Sequence, residues 1–212
     1  MLSKTKAISQ QVIKRLPRYY SHLGYLAEAG TLRVSSMELA VQMNLTASQI
    51  RQDLNHFGCF GQQGYGYNVQ TLREEIGKIL GLDRAYNMVV IGAGNLGQAL
   101  ANYKNFESMG FFIKAVFDIQ PELCFKILGR CVIRHIDELE DYASENRIDI
   151  AVLAFKSKNG QEVANRLFAL GIKAIWNFAS FELRVPKGVT VEDVHLSDSL
   201  MMLSYNLHNN YD

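Results

Sequence analysis

VVIGAGNLGQAL, Val89 to Leu100, passes from apolar residues through a G-x-G-x-x-G loop into a helical pattern. Strand, tight turn and helix start in that order present backbone N–H groups and the positive end of a helix dipole to a pyrophosphate. Gly92 allows the turn, Gly94 lets the backbone approach the phosphates, and Gly97 lets helix and strand pack closely, with Ala93, Asn95 and Leu96 completing the loop. Glycine turns are common, so the loop alone is weak evidence. Here FFIKAVFD supplies a second strand ending at Asp118, 26 residues beyond Gly92. A carboxylate there bonds both ribose hydroxyls and repels a 2′-phosphate. The spacing predicts a βαβ unit that holds NAD(H) in preference to NADP(H), with a strand over Asn87–Ile91 and one helix over Asn95–Met109.

The same rhythm continues toward the C-terminus. A short Val132-Ile133 strand precedes the helical stretch IDELEDYASENR; DIAVLAF is a buried strand, NGQEVANRLFALG a helix, KAIWNFA a strand and VTVEDV a last one. Such alternation specifies a parallel, doubly wound α/β sheet with its site at the C-terminal ends of the strands. In the closing SDSLMMLSYNLHNN, Leu196, Leu200, Leu203 and Leu207 form an apolar stripe at helical spacing. It can fold onto its own domain or pack against a second subunit.

Toward the N-terminus the pattern changes. Ile8, Val12, Leu16, Tyr19, Tyr20, Leu23 and Leu26 recur at helical spacing, with Pro17 inside the run, so this helix is expected to start or kink there and to end at Gly30. Ser35 and Glu38 form a capping pair before MELAVQM, and after a break at Asn44 a second cap, Thr46, introduces ASQIRQDLNHFG. Two short helices thus meet at a tight turn. In the second, Ala47, Ile50, Leu54 and Phe57 share one face, leaving Ser48, Gln49, Arg51, Gln52, Asn55 and His56 mostly outward. Those residue types suit base edges and phosphates in a helix-turn-helix. GCFGQQGYGYNV then reads as a hairpin with its tip at Gln62, Gln63 and Gly64, a wing behind a recognition helix. A helix carrying Leu72, Ile76, Ile79 and Leu80, closed by Gly81, completes the segment.

Composition agrees with two compact units: 212 residues, 48% hydrophobic and 20% charged. No apolar run approaches the roughly 20 residues of a membrane span, and Met1 to Gln10 has no signal-peptide pattern, so a cytoplasmic protein is expected. Cys59, Cys124 and Cys131 lack C-x-x-C spacing and read as buried thiols; no metal site is expected. The net charge of +1 hides an asymmetry. Residues 1–86 carry 10 Lys/Arg against 6 Asp/Glu and the remainder 12 against 15, so only the first part welcomes a polyanion.

RLPRYY, SSMELA, IRQDLNHFG, GYGYNV, IGAGNLGQALANY, FDIQPE and GIKAIWNFA together resemble the Rex family of redox-sensing transcriptional repressors over nearly the whole chain. The resemblance implies an N-terminal winged-helix DNA-binding domain (1–84), a Rossmann-like NAD(H)-binding domain with a doubly wound parallel sheet (85–195) and a C-terminal dimerisation helix (196–212) exchanged between subunits. It implies a homodimer that binds operator DNA, responds to the NADH/NAD⁺ ratio and catalyses nothing. It places Arg51 in the DNA-reading helix, Gly92, Gly94, Gly97 and Asp118 on the dinucleotide, Tyr103 near the nicotinamide end, and Phe155, Lys156 and Asn177 among the cofactor contacts. Several positions depart from the family pattern: Phe155-Lys156 stands where Val-Pro is common, Ser21 and His195 where an Arg–Asp pair is used, and Gln52, Gln62 and Gln63 where basic residues are frequent. The lost pair bears on redox switching, and the lost basic residues predict weaker, less salt-sensitive DNA binding. Two alternatives follow: a repressor of this fold answering to NAD⁺, an adenine nucleotide or a coenzyme A derivative, and an NAD-dependent dehydrogenase with Tyr103, Lys156 or His195 as proton donor.

Overall fold

The computed structural model describes residues 8–58, 61–62, 65–156 and 159–209. The chain forms two compact units, Met1–Arg84 and Ala85–Asp212.

In the first unit, α1 (Gln10–Glu28) is capped by the Ser9 hydroxyl, which accepts from the Val12 N–H. The helix begins seven residues before Pro17 and continues through it. Val12, Leu16, Tyr19, Leu23 and Leu26 are buried on both sides of the proline, which offsets the one ladder bond that Pro17 cannot make. Gly30, at φ +76°, ends the run, with the Thr31 N–H closing back on the Leu26 carbonyl. Strand β1 (Arg33–Val34) leads to α2 (Ser36–Met43), whose Ser35–Glu38 capping box is complete. Asn44 takes the left-handed conformation at the turn, and Thr46 caps α3 (Ala47–Asn55). Strands β2 (Gly61–Gln62) and β3 (Gly66–Asn68) pair antiparallel, and β1 adds to the other edge of β3. Gly66 has φ +68°, and a Cβ there would stand 2.6 Å from the Val34 carbonyl oxygen, so glycine is required for this pairing. Helix α4 (Val69–Ile79) closes the unit over a core that includes Leu16, Tyr19, Leu39, Ile50, Leu72 and Ile76.

The second unit is a seven-stranded sheet in the order β10-β9-β8-β4-β5-β7-β6. Its strands are β4 (Tyr86–Ile91), β5 (Phe111–Asp118), β6 (Ile127–Leu128), β7 (Cys131–His135), β8 (Ile150–Leu153), β9 (Ala174–Asn177) and β10 (Thr190–Asp193). All pairings are parallel except β6 with β7, a two-residue hairpin arm too short to signal itself in the sequence. The chain runs from β4 outward to β5 on one side and later places β8 on the other, so the order reverses between β4 and β8. That reversal opens a crevice at the strand ends.

The helix expected over Asn95–Met109 is two helices, α5 (Asn95–Ala101) and α6 (Asn105–Ser108). At the break the Gln98 carbonyl accepts from both the backbone N–H and the side-chain amide of Asn102, and the next N–H, that of Tyr103, turns to the Leu100 carbonyl, tightening the last turn. A 3₁₀ turn (Ile136–Glu138) precedes α7 (Leu139–Glu145); α8 (Gly160–Ala169) and α9 (Leu196–Asn209) complete the unit. Cys124 and Cys131 are buried free thiols, and Cys59 lies outside the described residues. Among the described residues no helix is long and apolar enough to cross a membrane, and no cluster of His, Cys, Asp and Glu is placed to hold a metal ion.

Candidate nucleic-acid face and dinucleotide pocket

Helix α3 carries a face for recognition because its other face is locked down. Ile50 and Leu54 are buried, and between them Asp53 is only 3% exposed. Its carboxylate accepts from Arg15 Nε at 2.6 Å, Arg15 Nη2 at 2.8 Å and the Tyr19 hydroxyl at 2.7 Å. This network ties α3 to α1 through a bidentate ion pair and a phenol, satisfying a charge that would be prohibitive alone. Burial and the neighbouring carboxylate push the Tyr19 phenol well above its ordinary range, and the hydrogen bonds from Arg15 to Asp53 raise the guanidinium likewise. The partners lie 38 and 34 residues away in sequence, so local pattern does not name them.

Ser48, Arg51, Gln52, Asn55 and His56 are exposed in consequence, and Gln49 is half-buried. Arg51 Nη1 donates to the Ser36 hydroxyl at 3.0 Å, so its guanidinium rests against the start of α2. Gln62 lies on β2, whereas Gln63 and Gly64, the expected wing tip, lie outside the described residues.

In the second unit, a cavity of about 920 Å³ opens at the strand ends. Gly92, Gly94, Asn95, Leu96, Asp118, Phe155 and Lys156 line it together. The three loop glycines have separate steric reasons. A Cβ on Gly92, at φ +103°, would stand 2.8 Å from the Ala154 carbonyl oxygen, and one on Gly97 would overlap the Gly92 carbonyl oxygen. A Cβ on Gly94 would meet nothing within 4 Å, so the backbone there faces open space where a diphosphate would approach. Gly94 is also the N-cap of α5 and has no side chain to satisfy the first-turn N–H groups. The loop therefore fits a pyrophosphate.

Asp118 braces this loop from the adjoining strand. One carboxylate oxygen accepts from the Ala93 N–H at 2.6 Å and the other from the Gln120 N–H at 2.9 Å. Each oxygen keeps a lone pair, so the group that shapes the loop can also take ribose hydroxyls. Ala93 itself is fully buried behind the loop. On the same side Arg166 clamps Glu140 through Nε and Nη2, both at 2.7 Å, and donates to the Ile136 carbonyl at 3.0 Å, fixing the wall that Ile136 forms. Arg166 holds the Glu140 carboxyl below its ordinary range.

Two expected contacts stand elsewhere. Asn177 is 0% exposed, and its amide is spent on the protein: Nδ2 donates to the Phe181 carbonyl and to Asp193, and Oδ1 accepts from the Ala179 N–H. It is a brace between β9 and β10, away from the cavity wall. Tyr103 sits in the α5–α6 break with its ring edge-on to Phe106 and is not on the wall. Conversely, Val194, His195, Leu196 and Ser197 are on the wall, so the segment entering α9 forms part of the pocket. From sequence, Val194 ends a strand and Leu196 opens an apolar stripe; neither signals a pocket wall, since a wall made by a strand exit has no motif.

Both units of the chain match known families. Residues 83–181 match the family model described as CoA binding domain, and residues 7–55 match that of the putative DNA-binding protein N-terminus. The chain is 56% identical over 200 residues to the redox-sensing transcriptional repressor Rex of Clostridioides difficile (strain 630), covering 94% of this chain and 95% of that protein. It is also similar to RSP in complex with beta-NAD⁺ and operator DNA, with a TM-score of 0.91 at 50% identity, covering 97% of this chain and 95% of that one. RSP in complex with beta-NADH gives a TM-score of 0.90 at 48% identity, covering 97% of each chain.

Proposed function

The chain belongs to the Rex family of redox-sensing transcriptional repressors, and from that membership we propose that it binds operator DNA as a homodimer and is regulated by the NADH/NAD⁺ ratio. The observation that carries the reading is the pocket wall: residues 194–197, which enter α9, line the same cavity as the Gly92–Gly97 loop. A ligand in the cavity thus touches the root of the helix that we assign to the subunit contact. Ligand binding moves an equilibrium only through a difference in affinity between two states. A contact at the root of α9 supplies such a difference when the two states differ in how subunits are arranged. Two recognition helices then fit or miss successive major grooves, whose spacing is about 34 Å.

In this reading Gly94, Asn95 and Leu96 hold the pyrophosphate, Asp118 takes the adenosine ribose, and Phe155 and Lys156 stand toward the nicotinamide. Ser48, Gln49, Arg51, Gln52, Asn55 and His56 face the duplex, with the wing beside them. The dinucleotide is a signal left chemically unchanged; support comes from the relatives, which are named repressors. The protein acts in the cytoplasm, where operators and nicotinamide pools meet.

A pair of variants tests the division of labour on an operator duplex selected by the wild-type protein from a random-sequence pool. Arg51→Ala weakens operator binding and leaves NADH affinity unchanged, whereas Asp118→Ala does the reverse. If Arg51→Ala bound the operator as tightly as wild type at matched salt, the DNA assignment would fail. Unchanged NADH affinity in Asp118→Ala would remove the ribose assignment.

A further inference from the structure

Five charged or titratable side chains line the pocket among the described residues: Asp118, Lys156, Glu162, Arg166 and His195. The sheet order sorts them. Asp118 ends β5, on the β5–β7 side of the reversal between β4 and β8. Glu162 and Arg166 are four residues apart on α8, and Arg166 reaches the Ile136 carbonyl and Glu140, which follow β7. Lys156 and His195 follow β8 and β10, on the opposite side.

A dinucleotide with its adenosine ribose at Asp118 and its pyrophosphate at the glycine loop lays its second ring over that opposite side. There the described wall includes Phe155, Phe178, Ser180 and Val194 together with Lys156 and His195; the carboxylate of Glu162, in the first turn of α8, acts on Arg166 one turn further along the same helix. Arg166 is neutralised by its fork onto Glu140, while Lys156 takes part in no ion pair among the described residues. Its ammonium is therefore a cation on the wall that no ion pair holds elsewhere.

We infer that Lys156 makes the pocket discriminate between redox states, repelling the ring cation of NAD⁺ while leaving the neutral dihydronicotinamide of NADH unaffected. The inference rests on the dinucleotide reading proposed above. The two cofactors share every phosphate, so a lysine that merely paired with the pyrophosphate would alter both affinities alike. A cation facing the nicotinamide instead changes their ratio.

The experiment measures dissociation constants of the full-length protein for NADH and for NAD⁺ in wild type, Lys156→Gln and Lys156→Arg. In Lys156→Gln the ratio of the NAD⁺ to the NADH constant falls about three- to tenfold, the effect of a unit charge roughly 7 Å away across a partly hydrated pocket. Lys156→Arg keeps the wild-type ratio. A ratio unmoved in Lys156→Gln, whether or not both affinities drop, overturns the inference alone. If wild type binds neither cofactor saturably, the dinucleotide reading falls and this inference with it.

Discussion

Helix α3 presents one face outward and helix α9 its whole surface, for opposite reasons. Helix α3 buries Ile50, Asp53 and Leu54, and what it exposes is polar: Ser48, Arg51, Gln52, Asn55. Helix α9 buries nothing, although Leu196, Leu200, Met201, Met202, Leu203, Tyr205 and Leu207 are all at least half exposed. The first is complete within its own unit and suited to a hydrated polyanion. The second is incomplete: covering seven such side chains is worth on the order of 10 kcal/mol before the costs of association. Under the proposed function the first helix has a duplex to read and the second another copy of the chain to pack against.

The largest effect should come from breaking what completes α3. Asp53→Ala leaves the Arg15 guanidinium without its counter-ion, and we expect a loss of about 3 kcal/mol in urea denaturation, near the low end for a broken buried pair because Arg15 is partly solvated. A loss under 1 kcal/mol would mean that α3 does not depend on the clamp. Placing charge on the stripe of α9, as in Leu200→Asp with Leu203→Asp, should raise the dimer dissociation constant by about 100-fold, since each carboxylate must be desolvated in the interface. Sedimentation at micromolar concentration checks this, and an undiminished dimer would assign the subunit contact elsewhere. Arg51→Ala should weaken operator binding about tenfold, within the range for losing one arginine contact to a base.

The smallest effect concerns pH. The folded-state pKa of Tyr19 lies above its unfolded value, so its contribution is intact below about pH 10 and is lost as pH rises beyond it. The urea midpoint for unfolding of the first unit should fall from pH 9 to pH 11, and Tyr19→Phe should flatten part of that slope. An identical slope in Tyr19→Phe would show that the phenol does not titrate with folding.

Local chemistry made much of this legible. Ser35, Glu38, Asn44 and Thr46 mark the helix-turn-helix because each performs its capping or turning within a few residues. The glycine loop is similarly self-contained, since Gly97 answers to the Gly92 carbonyl five residues earlier. What escaped notice depends on distant partners. Asp53 reads as one more polar residue on an amphipathic helix, yet its helical phase places it between Ile50 and Leu54 on the buried arc, and that phase was the available signal. Asn177 ends a strand whose neighbours do line the pocket, but the carbonyl of Phe181 and the carboxylate of Asp193 claim its amide. The expected helix ends at Asn102, where the Tyr103 N–H bonds the Leu100 carbonyl three residues back, a tightening that propensity does not decide. The two-residue strands β1 and β6 exist through pairing alone.

The coupling between pocket and duplex is tested most directly by following the fluorescence anisotropy of the labelled operator duplex, with wild-type protein and constant NAD⁺, as NADH is added. The duplex should be released as the pocket fills with NADH, and Asp118→Ala should require correspondingly more of it. An anisotropy that stays constant through saturating NADH, with binding of NADH verified in the same sample, would contradict the coupling.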